Sequence, residues 1–157
     1  GMGLLEYLEW CEDLKMEPLL AVFAGYTLNR DYVDAGPFLK PYVDEALEEI
    51  EYVTGDTTTK YGKQRARDGH PAPFPLHYVE VGNEDGFDMS GSYEGRFTQF
   101  YDAIRSKYPA LQVVSTTGGK DFLGQRCPIT RRVPDVIDEH YYRNAFDMES
   151  DADHYDS

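Results

Sequence analysis

An acid, an amide and a glycine close an apolar run in His77-Tyr78-Val79-Glu80-Val81-Gly82-Asn83-Glu84-Asp85. The pattern is that of a short strand running straight into Gly-Asn-Glu. A carboxyl group that ends a strand is carried by a rigid element yet faces an open mouth. An α/β barrel places its chemistry at such positions. Glu84 could donate a proton to a leaving group there, provided its surroundings keep the proton on it. The same residues also suit an ordinary strand end with polar loop residues, and Asn-Glu alone is a weak signal.

The surrounding chain supplies elements able to position that acid. Leu4, Leu8, Cys11 and Leu14 recur at helical spacing, with Pro18 as a stop. Leu19 to Ala24 is a continuous apolar run that reads as a strand buried on both faces. Tyr42, Ala46, Leu47, Ile50 and Val53 mark a second helix, ended by Gly55. The stretch 56–75 has little periodicity and reads as a long loop, of the kind that is usually functional or mobile. After the strand 77–81, a third helix runs from Phe97 to Tyr108 and a strand from Leu111 to Thr116. An irregular connection through Gly118, Gly119 and Pro128 leads to a fourth strand, 136–141, and then to an acidic tail. Helices alternate with strands, which predicts an α/β fold with a parallel sheet and right-handed crossovers.

Composition narrows the partners. The chain has 157 residues, 41% of them hydrophobic, enough for one domain with a real core. The net charge is −14, from 29 acids against 15 bases, so nucleic acid and an anionic membrane surface are repelled. Arg65-Ala66-Arg67 and Arg131-Arg132 are short basic pairs that do not offset this field. Uncharged glycans remain compatible, and 13 tyrosines suit them as well as they suit ordinary packing. No apolar run of about 18 residues exists to span a bilayer. Gly1-Met2-Gly3 does not read as a signal peptide. Cys11 and Cys127 form no CxxC pair, and Cys11 falls on an apolar helix side as a buried thiol would; a disulfide between them stays open. Gly118-Gly119-Lys120 lacks the remaining residues of a phosphate loop.

Several separated pieces together resemble one family. They are Gly3-Leu4-Leu5-Glu6-Tyr7-Leu8 with Glu12-Asp13-Leu14 and Glu17-Pro18, then Val43-Asp44-Glu45-Ala46-Leu47 with Ile50-Glu51-Tyr52. A distinctive stretch follows: Tyr61-Gly62, Arg65-Ala66 and Gly69-His70-Pro71-Ala72-Pro73-Phe74. Next come Val81-Gly82-Asn83-Glu84-Asp85, then Arg96-Phe97, Tyr101-Asp102-Ala103-Ile104 and Tyr108-Pro109, and finally Pro134-Asp135-Val136-Ile137-Asp138-Glu139-His140-Tyr141-Tyr142. The set resembles the α-L-arabinofuranosidases of glycoside hydrolase family 51. Tyr61 stands where the family usually has Trp.

The resemblance implies a (β/α)8 TIM barrel, of which residues 1–157 would be a partial copy carrying roughly strands three to six, with no second domain in this stretch. It implies hydrolysis of terminal arabinofuranosyl units with retention, through two carboxyl groups about 5–5.5 Å apart. Glu84 matches the general acid/base. Asn83 matches the ligand of the sugar 2-hydroxyl. His140 and Tyr142 match a His-x-Tyr that contacts the sugar and the nucleophile. No cofactor and no metal are implied. The expected partner is an arabinose-containing oligo- or polysaccharide, and the full-length enzyme could form a homo-oligomer. That substrate class favours an extracellular or periplasmic enzyme.

Other acids and histidines weigh less. Strand alternation puts Glu139 on the opposite face from His140, which argues against Glu139 as the nucleophile. Tyr141 would replace Tyr142 only if the register moved by one residue. His70 and His77 lack ligand spacing and suit structural roles. Asp147, Glu149, Asp151 and Asp153 resemble a calcium loop only superficially, because Ala152 stands at the turn-glycine position. A related endo-glucanase or xylanase, or a non-catalytic carbohydrate-binding fragment, are the alternatives. The family nucleophile is expected on a strand after Ser157, so these 157 residues alone are expected to lack glycosidase activity. Turnover of an aryl arabinofuranoside by the purified, monomeric stretch would contradict this.

Overall fold

A computed structural model describes residues 1–117, 129–154 and 156. Its elements are α1 (Leu4–Asp13), β1 (Leu19–Val22), α2 (Lys40–Thr54), α3 (Lys60–Asp68), β2 (Tyr78–Val81), α4 (Tyr93–Lys107), β3 (Gln112–Ser115), β4 (Val136–Ile137) and α5 (Ala145–Ser150). A single 3₁₀ turn, Asp85–Phe87, follows β2. The sheet is wholly parallel in the order β1-β2-β3-β4, as the alternation of helices and strands predicts.

One face of the sheet builds the core. Leu20, Val22, Val79, Val81 and Val113 meet Leu8 of α1, Val43, Ala46, Ile50 and Val53 of α2, and Phe97, Phe100 and Ile104 of α4. Each fully buried side chain of this size contributes about 1.5–3 kcal/mol relative to exposure. Helical spacing marks Leu8, Ala46, Ile50, Val53, Phe97, Phe100 and Ile104 among these, but it passes over Val43 and includes Leu14, which is exposed. The expectation that β1 is buried on both faces is not met. Its residues alternate exposed and buried, and Leu19 and Phe23 remain open to solvent. The register sets Ala21 beside Glu80, Glu80 beside Val114, and Val114 beside Val136 on the second face. A glutamate thus sits in the middle of an otherwise apolar row.

The stretch expected to be a structureless loop contains α3. Thr59 caps it by accepting a hydrogen bond from the Gly62 amide at 3.1 Å, and Gly69 ends it in a left-handed conformation. Its buried residues are Gly62 and Arg65 rather than an apolar stripe, so hydrophobic periodicity had nothing to register. A side chain at Gly62 would meet the Asp56 carbonyl at 2.0 Å, which lets only glycine approach the backbone there.

Arg65 is fully buried and donates to carbonyls only. Nε reaches His70 O at 3.0 Å, and the terminal nitrogens reach Tyr52 O, Val53 O (3.1 Å), Gly55 O (2.7 Å) and Pro71 O (3.2 Å). Three of these carbonyls belong to the last turn and cap of α2, where the helix dipole favours a cation. Burial pushes the guanidinium pKa down, but its donors are all used. His70 completes the segment by stacking on Phe74 at 3.9 Å and bonding Ala72 O and Glu12.

Replacing Arg65 with Met is expected to destabilise the protein by about 3 kcal/mol or more, because buried carbonyls lose their donors. Lys should recover little, since one ammonium cannot span the same fan. Denaturant unfolding of the complete protein measures both, and a Met variant as stable as the parent would contradict this account.

Candidate active site

The turn after β2 is built to aim Glu84. Gly82 and Glu84 both adopt positive φ, 98° and 54°. A non-glycine residue in the left-handed region costs about 1 kcal/mol or more, so the surroundings must enforce it. A Cβ at Gly82 would lie 2.0 Å from Asp85 Oδ2, which excludes any other residue. That carboxylate is the centre of the turn. Oδ2 accepts from the Asn83 amide at 2.9 Å and from Thr116 Oγ1 at 3.2 Å. Oδ1 accepts from Arg96 at 2.7 Å.

Arg96 of α4 is fully buried and connects three segments. It donates to Ala24 O after β1 at 2.5 Å, to Asp85 at 2.7 Å, to Asp88 at 2.8 Å and to Ser92 Oγ at 2.9 Å. Its guanidinium also lies over the rings of Tyr93 and Tyr26. Burial pushes the Asp85 carboxyl pKa up, against the opposing pull of Arg96 and the amide of Asn83. Burial also works against ionisation of Asp88, but hydrogen bonds from Ser90, Ser92 and Arg96 overcome it and hold that carboxyl below its usual value. Tyr93 secures the sheet side of the turn. Its hydroxyl donates to Val81 O at 2.6 Å and accepts from the Thr116 amide at 3.2 Å, and burial raises its pKa to about 12.

The fourth strand brings the other half. Although β4 has two residues, it is pinned from several sides. Asp135 accepts from the Val113 amide at 2.7 Å and pairs with Arg105 of α4, and the Asp138 amide donates to Ser115 O at 2.8 Å. Glu94 of α4 accepts from the Thr130 hydroxyl at 2.6 Å and from the Thr130 and Arg131 amides at 2.7 and 2.9 Å, and these bonds lower its pKa.

His140 and Tyr142 thereby converge on Glu84. His140 Nδ1 lies 3.0 Å from Glu84 Oε1, and the Tyr142 hydroxyl donates to the same oxygen at 3.2 Å. The Glu84 side chain is 14% exposed, enough to meet a ligand from solvent. Asn83 is exposed at the rim beside it. The resemblance implies that Tyr142 contacts the nucleophile; in this structure its hydroxyl engages Glu84. Tyr141 instead bonds Glu139 at 2.7 Å and His154 at 3.0 Å, so the register puts Tyr142 at the acid.

Sequence reasoning missed two acids behind His140. His140 Nε2 bonds Asp138 Oδ2 at 2.8 Å. Glu80, Asp138 and His140 each offer an atom within 4.8 Å of the others, the one such cluster among the described residues. Burial raises the Glu80 pKa to about 7, with the adjacent Asp138 adding to the shift. The hydrogen bond with Glu84, and then that with Asp138, raises the His140 pKa despite some burial. The signal for Glu80 was present as an acid inside an apolar strand, and that for Asp138 as its place two before His140 in the expected strand 136–141, of which only Val136–Ile137 is strand. A separate cleft of about 580 Å³ lies between α1, α2 and α3, lined by Leu4, Glu48, Glu49, Tyr52, Tyr61 and Asp68. None of its lining residues belongs to the Glu84 turn.

Comparison with known proteins gives this constellation a context. The family model described as "Alpha-L-arabinofuranosidase 1 domain" matches residues 1–157. The chain is 41% identical to a probable α-L-arabinofuranosidase A of Aspergillus flavus, over 100% of this chain and 25% of that protein. It is 45% identical to α-L-arabinofuranosidase A of Aspergillus kawachii, over 82% of this chain and 21% of that protein. The chain therefore spans about a quarter of the length of these relatives. The solved arabinose-bound MgGH51 α-L-arabinofuranosidase is similar with a TM-score of 0.87 and 38% identity, over 99% of this chain and 24% of that one. A family 51 enzyme of Thermotoga petrophila, 22% identical with a TM-score of 0.55, shares the fold.

Because Glu84 is the first cause of the raised His140 pKa, Glu84→Gln is expected to bring the imidazole back toward its ordinary value. A raised histidine pKa stabilises the fold below the unfolded value and loses that effect as pH rises through the folded one. Titration of the imidazole by NMR in the complete protein checks the pairing. An imidazole pKa unchanged by the substitution would contradict it.

Proposed function

The chain belongs to the α-L-arabinofuranosidase 1 domain family, and from that membership we propose that it forms part of the catalytic barrel of a retaining glycosidase acting on terminal α-L-arabinofuranosyl units of plant glycans. The observation that carries this reading is the convergence of His140 and Tyr142 on the carboxyl group of Glu84 at the end of β2. In this reading residues 1–157 supply roughly strands three to six of a (β/α)8 barrel. The open second face of the sheet, with Leu19, Phe23 and Glu80, would line the interior of that barrel. The strictly parallel order and the position of Glu84 past a strand's C-terminal end support this.

Glu84 acts first as an acid. It gives its proton to the glycosidic oxygen as the bond to the sugar breaks, and charge develops at the ring. The Tyr142 hydroxyl then donates to the carboxylate left behind. In the second step Glu84 takes a proton from the attacking water, so the glycosyl-enzyme is released with retention. Asn83, exposed beside Glu84, holds the sugar 2-hydroxyl, a bond that strengthens as the ring becomes cationic. The nucleophilic carboxylate is contributed by another part of the protein.

In the complete protein, Glu84→Gln is expected to slow substrates with poor leaving groups by about 10²–10⁴-fold, and activated aryl arabinofuranosides much less. Azide should then rescue the second step and give a product of retained configuration. Equal losses for both substrate types, with no azide product, would exclude Glu84 as the acid/base.

A further inference from the structure

We infer that Glu80 is a positioning residue for the acid: it shares a proton with Asp138, and through Asp138 sets the tautomer and charge of His140 where that ring meets Glu84. The inference rests on the reading of Glu84 given above. It extends the site by two carboxyl groups that do not touch the sugar.

The geometry is a continuous chain. Glu80 lies inside β2, two residues before the glycine of the turn, on the face opposite the core. Its neighbours across the sheet, Ala21 of β1 and Val114 of β3, carry no charge. Asp138 approaches it from the end of β4, and His140 stands beside Asp138. Asp85, in the 3₁₀ turn, is the remaining charged group that acts on Glu80, and its charge is countered by Arg96. Around His140 stand Glu84, at Nδ1, and Asp138, at Nε2.

Two carboxyl groups this close cannot both ionise without penalty, so one proton stays with the pair. Burial and the neighbouring acid keep that proton on Glu80 up to about neutral pH. Glu80 then donates to Asp138, and Asp138 accepts Nε2–H of His140. While Glu84 carries its proton, the carboxylate that chiefly raises the His140 pKa is absent, and a neutral imidazole with its proton on Nε2 turns a lone pair at Nδ1 toward Glu84. Nδ1 can accept a hydrogen bond from the Glu84 carboxyl group, which orients the acid. When Glu80 loses its proton, a second negative charge appears beside His140. The proton of Glu84 then passes to Nδ1, and the imidazolium donates to the carboxylate left behind, which removes the acid. Loss of the Glu80 proton therefore contributes to the basic limb of activity.

The three-residue cluster could also be read as a cation site. His140 already bonds Asp138 and Glu84, and among the described residues no fourth histidine, cysteine or carboxylate stands with the three. The hydrogen-bonded chain is the better account.

The test is the pH profile of kcat/KM for an aryl arabinofuranoside, each variant of the complete protein normalised to its own maximum. Glu80→Gln keeps an N–H donor for Asp138 but has no proton to lose, so its basic limb should move up by about half a pH unit or more. Glu80→Leu removes the donor, and kcat on a poor leaving group should fall about tenfold with KM little changed. A Glu80→Gln profile that coincides with the parent's would overturn the inference. So would activity of the parent that is lost to a chelator and restored by a divalent cation. If Glu84→Gln shows no dependence on the leaving group, the proposed function itself fails. If Glu84→Gln behaves as an acid/base variant while the Glu80→Gln limb stays in place, only the role of Glu80 falls.

Discussion

The buried ion pair between Arg96 and Asp85 is the constraint on which the site depends. An arginine with no solvent contact is tolerated only when its charge is paired and each of its nitrogens is hydrogen-bonded. Arg96 meets this by holding Ala24 O, Asp85, Asp88 and Ser92 together. Asp85 in turn gathers the Asn83 amide and Thr116. The strained left-handed backbone of Glu84 is the product of these bonds. Without them, the φ of 54° at a glutamate would relax and the carboxyl group would turn away from His140. The same residues tie α4 to the ends of β1, β2 and β3, so one network closes the sheet and fixes the acid.

Around the acid, the arrangement divides labour by distance from solvent. Glu84 and Asn83 stand at the mouth, Tyr142 and His140 lean over Glu84, and Glu80 lies deeper on the strand. In the proposed mechanism the groups near water meet the ligand, while Glu80 behind them answers to pH. Arg65 plays a different part in the same economy of buried charge. It has no carboxylate partner and relies on five carbonyls, which fasten α3 to the end of α2. The two buried arginines therefore stabilise by opposite means, one by pairing with acids and one by satisfying a helix terminus.

Much of the architecture was legible where burial and periodicity agree. The helices α1, α2 and α4 show apolar residues at helical spacing, and those residues form the core. The strand at 78–81 shows alternation and ends at the expected glycine. α3 was not legible, because its buried face is Gly62 and Arg65 and its start is marked by a cap at Thr59. The continuous apolar run of β1 suggested burial on both faces, but only Leu20 and Val22 pack in the core, with Leu19 and Phe23 left open. Gly118-Gly119-Lys120 and Cys127 lie outside the described residues, so the phosphate-loop reading is untouched. Cys11 itself is a buried free thiol.

The sequence by itself determined the apolar helices, the acid at a strand end and the resemblance to a family, because each is written in short runs of residues close along the chain. Gly82 and Glu84 carry their own signal, since the turn demands a glycine and the chemistry an acid. The tertiary structure decided which groups meet. Glu84 and His140 are 56 residues apart, and Asp85 and Thr116 are 31 apart. No local pattern encodes those pairings. They arise because parallel strands return to the same edge of the sheet, where a protonation state is set by groups the chain brings together only on folding.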